Sequence, residues 1–198
     1  MRPVLIALVG PPASGKSTLA ARLAARLPAV VVQSDAVRKA LVPAPRYTAE
    51  EHQQVFAAAH AKAASLLRAG QHVVFDATSL QAASRCALAE IATASGARLL
   101  VARLAISAAA ARARLARRAA ARAPGDLSDA DWAVYLMLAA RFEPIRQPHW
   151  VLNGAVDADA LAALLARAVG PRPAPPAGSP GGNSYAGRDE ECPSEAWS

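Results

Sequence analysis

Between an apolar run, Pro3 to Val9, and a stretch with leucines at helical spacing, Lys16 to Leu27, stand the residues Gly10-Pro11-Pro12-Ala13-Ser14-Gly15-Lys16-Ser17. A buried strand that turns through Gly-Pro-Pro and re-emerges as a helix at Gly-Lys-Ser leaves few folds open. The order matches the pattern G-x-x-x-x-G-K-[ST] in full, in the strand–loop–helix setting that the pattern requires. Glycines in such a turn let successive backbone N–H groups point inward as an anion nest, and the helix behind adds its positive end. The loop is therefore expected to hold the phosphates of a nucleoside triphosphate, ATP with Mg²⁺. Gly10, Pro11, Pro12, Ala13, Ser14, Gly15, Lys16, Ser17 and Thr18 would surround it. Lys16 neutralises β- and γ-oxygens in such a loop, and the Ser17 hydroxyl ligates the metal.

The rest of the chain alternates between the same two periods. Strands are expected at Val30 to Val32, His72 to Asp76, Arg98 to Leu104 and His149 to Leu152. Helices are expected after Ser34-Asp35, from a capping box at Thr48-Ala49-Glu50-Glu51 to Gly70, over Gln81 to Ser95, and over Ser107 to Arg122. Two more follow, one capped by Ser128-Asp129-Ala130-Asp131 and ending near Pro144, and one over Asp157 to Val169. Strands this apolar, alternating with helices, imply an α/β domain with a parallel sheet covered on both faces. At 198 residues one such core is expected, spanning 1–169. From Gly170 to Ser198 the composition turns to Pro, Gly and Ser and cannot bury enough to fold, so this segment is expected to be a disordered tail. No apolar run approaches the roughly 20 residues that cross a bilayer, and no secretory signal precedes the loop, so the protein reads as cytoplasmic.

Charge narrows the ligand. The net charge is +7, and only Lys16, Lys39 and Lys62 of the basic residues are lysines. The tail is acidic, so the body carries about +9, with Arg112, Arg114, Arg117, Arg118 and Arg122 close together. A basic body suits a polyanion such as a nucleotide or a nucleic acid. Aromatics make up only 5% of the chain and do not interleave with the arginines, so no stacking platform for single strands is evident. The four histidines show no metal-ligand spacing with cysteines or carboxylates.

Two carboxylates close strands and face the same side of a parallel sheet. Asp76 stands where a second Mg²⁺ contact is needed, or caps the helix that follows it. Asp35 is placed to accept a proton from an attacking hydroxyl, or to cap its own helix. Arg38, one turn on, would share that side and hold an anionic group on the acceptor. Most of the clustered arginines suit a solvated face, with at least one reaching the transferring phosphoryl group. The break at Pro124-Gly125 would let the segment 107–127 move as a lid.

Gly10 to Thr18, Ser34-Asp35-x-x-Arg38-Lys39 and Val73-Val74-Phe75-Asp76-Ala77-Thr78, followed by Arg85, resemble the small AAA-type ATPase-like kinases of the P-loop superfamily. That group resembles the polynucleotide 5′-hydroxyl kinases, the zeta toxins and the gluconate and chloramphenicol kinases. The resemblance runs from about Pro3 to Asn153. It implies a three-layer P-loop NTPase sandwich with a five-stranded parallel sheet, the Asp76 strand beside the first, and a helical arginine-bearing lid at Arg114 to Arg118. It implies Asp35 as general base, Arg38 and Arg85 as acceptor-binding residues, Arg114 at the nucleotide, and Arg118 on the γ-phosphate. Ser79-Leu80 departs from the asparagine- or proline-containing stretch usual in the polynucleotide kinases. The expected activity is transfer of the ATP γ-phosphate to a hydroxyl of a small molecule or a nucleic-acid end. The alternative is a nucleotide-dependent regulatory ATPase that presents a surface to a protein or RNA partner.

Overall fold

The computed structural model describes residues 2–42, 44–121 and 130–170. Five parallel strands form one sheet in the order β2-β3-β1-β4-β5: β1 (Val4–Val9), β2 (Ala29–Gln33), β3 (His72–Asp76), β4 (Arg98–Ala105) and β5 (Trp150–Asn153). β1 lies at the centre and is buried along its whole length. Its side chains alternate: Ile6 and Leu8 enter one core, Leu5, Ala7 and Val9 the other. The chain pairs Leu8 with Asp76 and Gln33 with Asp76 across neighbouring strands, so the ends of β1, β3 and β2 finish level.

Helices α1 (Lys16–Arg26) and α7 (Ala158–Val169) cover the first face. There Leu19 and Leu23 meet Leu161, Leu165 and Val169. Helices α3 (Ala49–Arg68) and α4 (Ala82–Ala94) cover the second with Ala59, Ala63, Leu67, Leu88 and Ala92, small residues that let the helices approach closely. This is the three-layer α/β sandwich expected, with the alanines in the helical shell. Shorter α2 (Ser34–Leu41) follows β2, and α5 (Ala108–Ala121) and α6 (Trp132–Ala140) lie beyond β4. A small third cluster joins the last two through Ala111, Leu115 and Tyr135, with Trp132 stacked on Tyr135 at 4.8 Å.

Three local expectations are corrected. Thr48 caps α3 by accepting from Glu51 N–H, but Glu51 does not reach back to close the box. Its carboxylate is drawn to Arg38 and to the Arg46 and Tyr47 amides instead. Gln33, not Ser34 or Asp35, occupies the N-cap of α2, which leaves Asp35 inside the first turn. Helix α6 stops at Ala140 rather than near Pro144: Glu143 N–H donates to Leu80 O at 3.0 Å, pulling the chain onto the β3–α4 loop. Arg122, Pro124-Gly125, Ser128-Asp129 and the tail beyond Gly170 lie outside the described residues, and with them part of the expected lid.

Candidate functional site

Because every strand runs the same way, the C-terminal ends open on one side, where a doubly covered sheet presents ligands. A cleft of about 1480 Å³ lies there. That exceeds the roughly 300–1,000 Å³ of a one-ligand pocket.

The phosphate loop forms its floor. Gly10 N–H donates to Thr78 O at 3.1 Å, anchoring the loop to the end of β3, and Ser14 N–H donates back to Pro11 O at 3.3 Å. Gly15 caps α1 at φ 98, a left-handed conformation that a side chain would strain. Residues Pro12 to Thr18 line the cleft, whereas Gly10 and Pro11 stand behind it. Sequence reasoning passed over Gly154. A Cβ there would overlap Ser14 O, so the turn after β5 can press against the phosphate loop only if it carries glycine. A lone glycine directly after a strand was the available signal.

Lys16 is only 8% exposed and donates to Pro11 O at 2.9 Å. Burial pushes its pKa down; the charges of Asp76 and Asp35 pull it back, and Arg118 adds to the lowering. Asp76 is 3% exposed, and burial pushes its pKa up against the Lys16 charge and a hydrogen bond with the Ser17 side chain. Asp76 Oδ2 has no hydrogen-bond partner, and neither does the buried Ser14 hydroxyl. Ser17 Oγ also accepts from Gln33 Nε2 at 3.4 Å.

Asp35 and Arg38 line the same cleft. The Arg38 guanidinium forms a buried ion pair with Glu51 and lies 4.9 Å from the Tyr47 ring. Burial pushes Glu51 up, but the Arg46 amide, Arg38 and the Tyr47 amide outweigh it and hold the carboxyl below its usual range. Of the clustered arginines, Arg114, Arg117 and Arg118 line the cleft, while Arg112 lies over the Trp132 ring. Arg114 braces the loop, donating to Ala13 O at 3.1 Å and Gly154 O at 2.8 Å. Arg118 donates to Ala130 O.

Arg85 departs from its expected place at the acceptor. It is 2% exposed and does not line the cleft. Its two terminal nitrogens donate to the carbonyls of Ser79, Leu80, Glu143 and Pro144 at 2.6–3.1 Å. Four inward carbonyls need a forked cation more than a ligand does, so Arg85 ties the β3–α4 loop to the segment after α6.

Among the described residues no group of three or more His, Cys, Asp or Glu side chains forms a metal cluster. No helix among them is long and apolar enough to cross a membrane.

A family model described as AAA domain (AAA_33) matches residues 5–145. The chain belongs to this AAA-domain family. No curated protein matches the chain. Solved structures of the same fold include Chaetomium thermophilum Kti12 in complex with ADP-AlF3, with 21% identity and a TM-score of 0.66 over 83% of this chain and 96% of that one. The Mycobacterium tuberculosis APS kinase CysC in complex with AMPPNP and APS shares 17% identity at a TM-score of 0.64 over 83% and 95%. A gluconokinase from Sinorhizobium meliloti 1021 shares 20% identity at a TM-score of 0.59 over 85% and 96%. The AAA-domain chain thus has a P-loop NTPase fold of kinase type, with the β3 strand beside β1.

Proposed function

We propose that this AAA-domain protein is an ATP-dependent phosphotransferase that moves the γ-phosphate of ATP to a hydroxyl of a small molecule or a nucleic-acid end. One observation carries the reading. The Asp35 carboxylate lines the same cleft as the phosphate loop, and its charge acts on Lys16. A carboxylate that shares the cleft with the phosphate-loop lysine repels the nucleotide, so it needs a second function; accepting a proton is one. Structures of the same fold with ADP-AlF3 and AMPPNP support ATP as the nucleotide.

The residues at the loop fit Mg²⁺. Asp76 Oδ2 is buried without a partner beside the Ser17 hydroxyl, and hard oxygen donors suit that ion. Ser17 and Asp76 would hold it, directly or through water, and it would supply positive charge to the β- and γ-phosphate oxygens. The protein's own groups do the rest. Loop amides from Ala13 to Ser17 and Lys16 bind and orient the phosphates, and Arg118 faces the charge that develops on the γ-phosphoryl group. The acceptor hydroxyl gives its proton to Asp35 as its oxygen bonds to the γ-phosphorus, and the bond to the bridging oxygen breaks to release ADP. Arg38, already paired with Glu51, offers the acceptor its remaining N–H groups.

Asp35→Asn tests the assignment. It keeps the shape and removes the proton acceptor, so phosphotransfer should fall on the order of 10²–10⁴-fold while ATP affinity stays within a few-fold. A variant that retains most of its activity would remove Asp35 from the mechanism. ATP consumption that responds to a protein or RNA but to no hydroxyl acceptor would favour the regulatory-ATPase alternative.

A further inference from the structure

At the start of α3 a carboxylate gives up a local role for a more distant one. Thr48 caps the helix by accepting from Glu51 N–H at 3.2 Å, and a glutamate in that third position ordinarily returns a bond to the amide of the cap residue. Glu51 reaches past it. One of its oxygens accepts from the Arg38 guanidinium, and the other accepts from the Arg46 and Tyr47 amides at 2.7 and 3.0 Å. Glu51 and Arg38 are both 8% exposed. A buried ion pair adds little net stability over packed apolar residues, so its presence beside the cleft calls for another reason.

The groups that Glu51 holds belong to the cleft. Asp35 and Arg38 stand three residues apart on α2, which sets them side by side on one helix face, about 5–6 Å between Cβ atoms. The Tyr47 ring lies 4.9 Å from the Arg38 guanidinium carbon, and all three residues line the cleft. Tyr47 is 57% exposed and, among the described residues, joins no hydrophobic cluster. Its backbone has φ 56, a left-handed conformation that is an outlier for a bulky residue and lasts only where neighbours impose it. The two amide bonds to Glu51 flank that residue and impose it. A strained turn that holds an aromatic ring out of every core, over a cleft-lining guanidinium, serves a ligand better than it serves the scaffold.

We propose that Glu51 is the positioning residue of the acceptor site and that the Tyr47 ring is the surface on which the acceptor rests. Glu51 touches no substrate. It fixes the guanidinium and the ring as one face beside Asp35, so that an acceptor lying on the ring takes N–H groups from Arg38 and turns its hydroxyl to Asp35. This rests on the phosphotransferase reading and adds two residues to its site.

The test uses the full chain with ATP and Mg²⁺ and the best acceptor from a panel of sugars, polyols, hydroxy acids, nucleosides and 5′-hydroxyl oligonucleotides. Tyr47→Gly separates function from fold, because glycine relaxes at a positive φ. Its Tm should equal or exceed that of the wild type, while acceptor KM rises by roughly 3- to 10-fold, the range for one lost aromatic contact. Tyr47→Phe keeps the ring and should return acceptor KM to near the wild-type value. Glu51→Gln keeps the size and loses the charge. Its acceptor KM should rise by roughly 10- to 100-fold, the range for hydrogen bonds to a charged group, with kcat and the KM for ATP within a few-fold. If Glu51→Gln does not fold, Glu51→Asp, one methylene short of the same partners, is read by the same criterion.

A Glu51 variant that lowers Tm but leaves acceptor KM unchanged makes Glu51 a scaffold residue and overturns its positioning role. Unchanged acceptor KM in Tyr47→Gly removes the ring from the site. A KM for ATP that rises as much as that for the acceptor moves this face to the nucleotide and overturns the proposal. All three leave the phosphotransferase reading standing. ATP consumption indifferent to the whole panel overturns that reading and this proposal together.

Discussion

Lys16 and Arg85 are both buried cations, 8% and 2% exposed, and they sit in opposite surroundings. Among the described residues Lys16 has a single hydrogen bond, to Pro11 O, and Asp76 Oδ2 and Ser14 Oγ near it lack partners. Arg85 gives its terminal nitrogens to four carbonyls and leaves only Nε without a partner. The Arg38–Glu51 pair resembles Arg85, since Glu51 accepts from Arg38 and two amides. Burial shifts Lys16 and Asp76 toward their neutral forms, while hydrogen bonds keep Glu51 charged. The first set is costly to hold, and an anion and a cation would satisfy it. The second set finds most of its partners within the protein: Arg85 serves the scaffold, and Arg38 keeps only its remaining N–H groups for a ligand.

The largest effect should come from the incomplete set. Lys16→Ala should lower ATP-dependent turnover by about 10²–10³-fold, the usual cost of one positioned donor at developing charge. Its Tm should stay close to that of the wild type, because a desolvated cation adds little to the fold. Steady-state kinetics and a thermal melt read both at once; a large fall in Tm with turnover intact would reverse the comparison. Arg85→Ala should do the opposite. Loss of the donors to four carbonyls should cost roughly 2–4 kcal/mol, seen as a lower denaturant midpoint at unchanged slope. An Arg85→Ala protein of normal stability that fails only to use its acceptor would return Arg85 to the substrate-binding role that sequence resemblance implied.

The smallest effect is a difference in pH dependence between the two carboxylates. The folded pKa of Glu51 lies below its ordinary 4.5, so its contribution to stability is present above that pH and lost as pH falls through the folded value. Asp76 lies above its ordinary 3.8, so the advantage of its neutral form is present below that pH and lost as pH rises through the folded value. Melting the nucleotide-free protein from acid to neutral pH should show Asp76→Asn flattening the loss on raising pH. Glu51→Gln should flatten the loss on lowering it. Equal slopes in the two variants would erase the distinction between the regions.

Much of the fold was legible because its signals are local. Branched apolar runs of strand length alternate with helical spacing, and the β3 boundaries at His72 and Asp76 follow from the run alone. The phosphate loop was legible because its function rests on backbone amides and on glycine at a few fixed offsets. Asp76 was findable because it ends a strand, and Asp35 because it opens the helix that directly follows one; parallel strands end on one side. Arg38, Arg85 and Glu51 were harder. A guanidinium serves a ligand or a carbonyl equally well, and the choice depends on partners 13 and 58 or more residues away in sequence for Arg38 and for the outer pair of Arg85 contacts.

The sequence by itself determined the alternation that makes a parallel sheet, the glycine-framed loop after β1 and the carboxylate that closes β3. All three follow from side-chain period, glycine placement and chain direction, which neighbours in the chain decide among themselves. Only the tertiary structure decided which arginines stay available to the cleft and which hold the scaffold. It also decided that Gly154 must have no side chain. Each of these depends on where distant backbone carbonyls end up once the sheet is assembled, and a carbonyl leaves no mark of its position in the sequence.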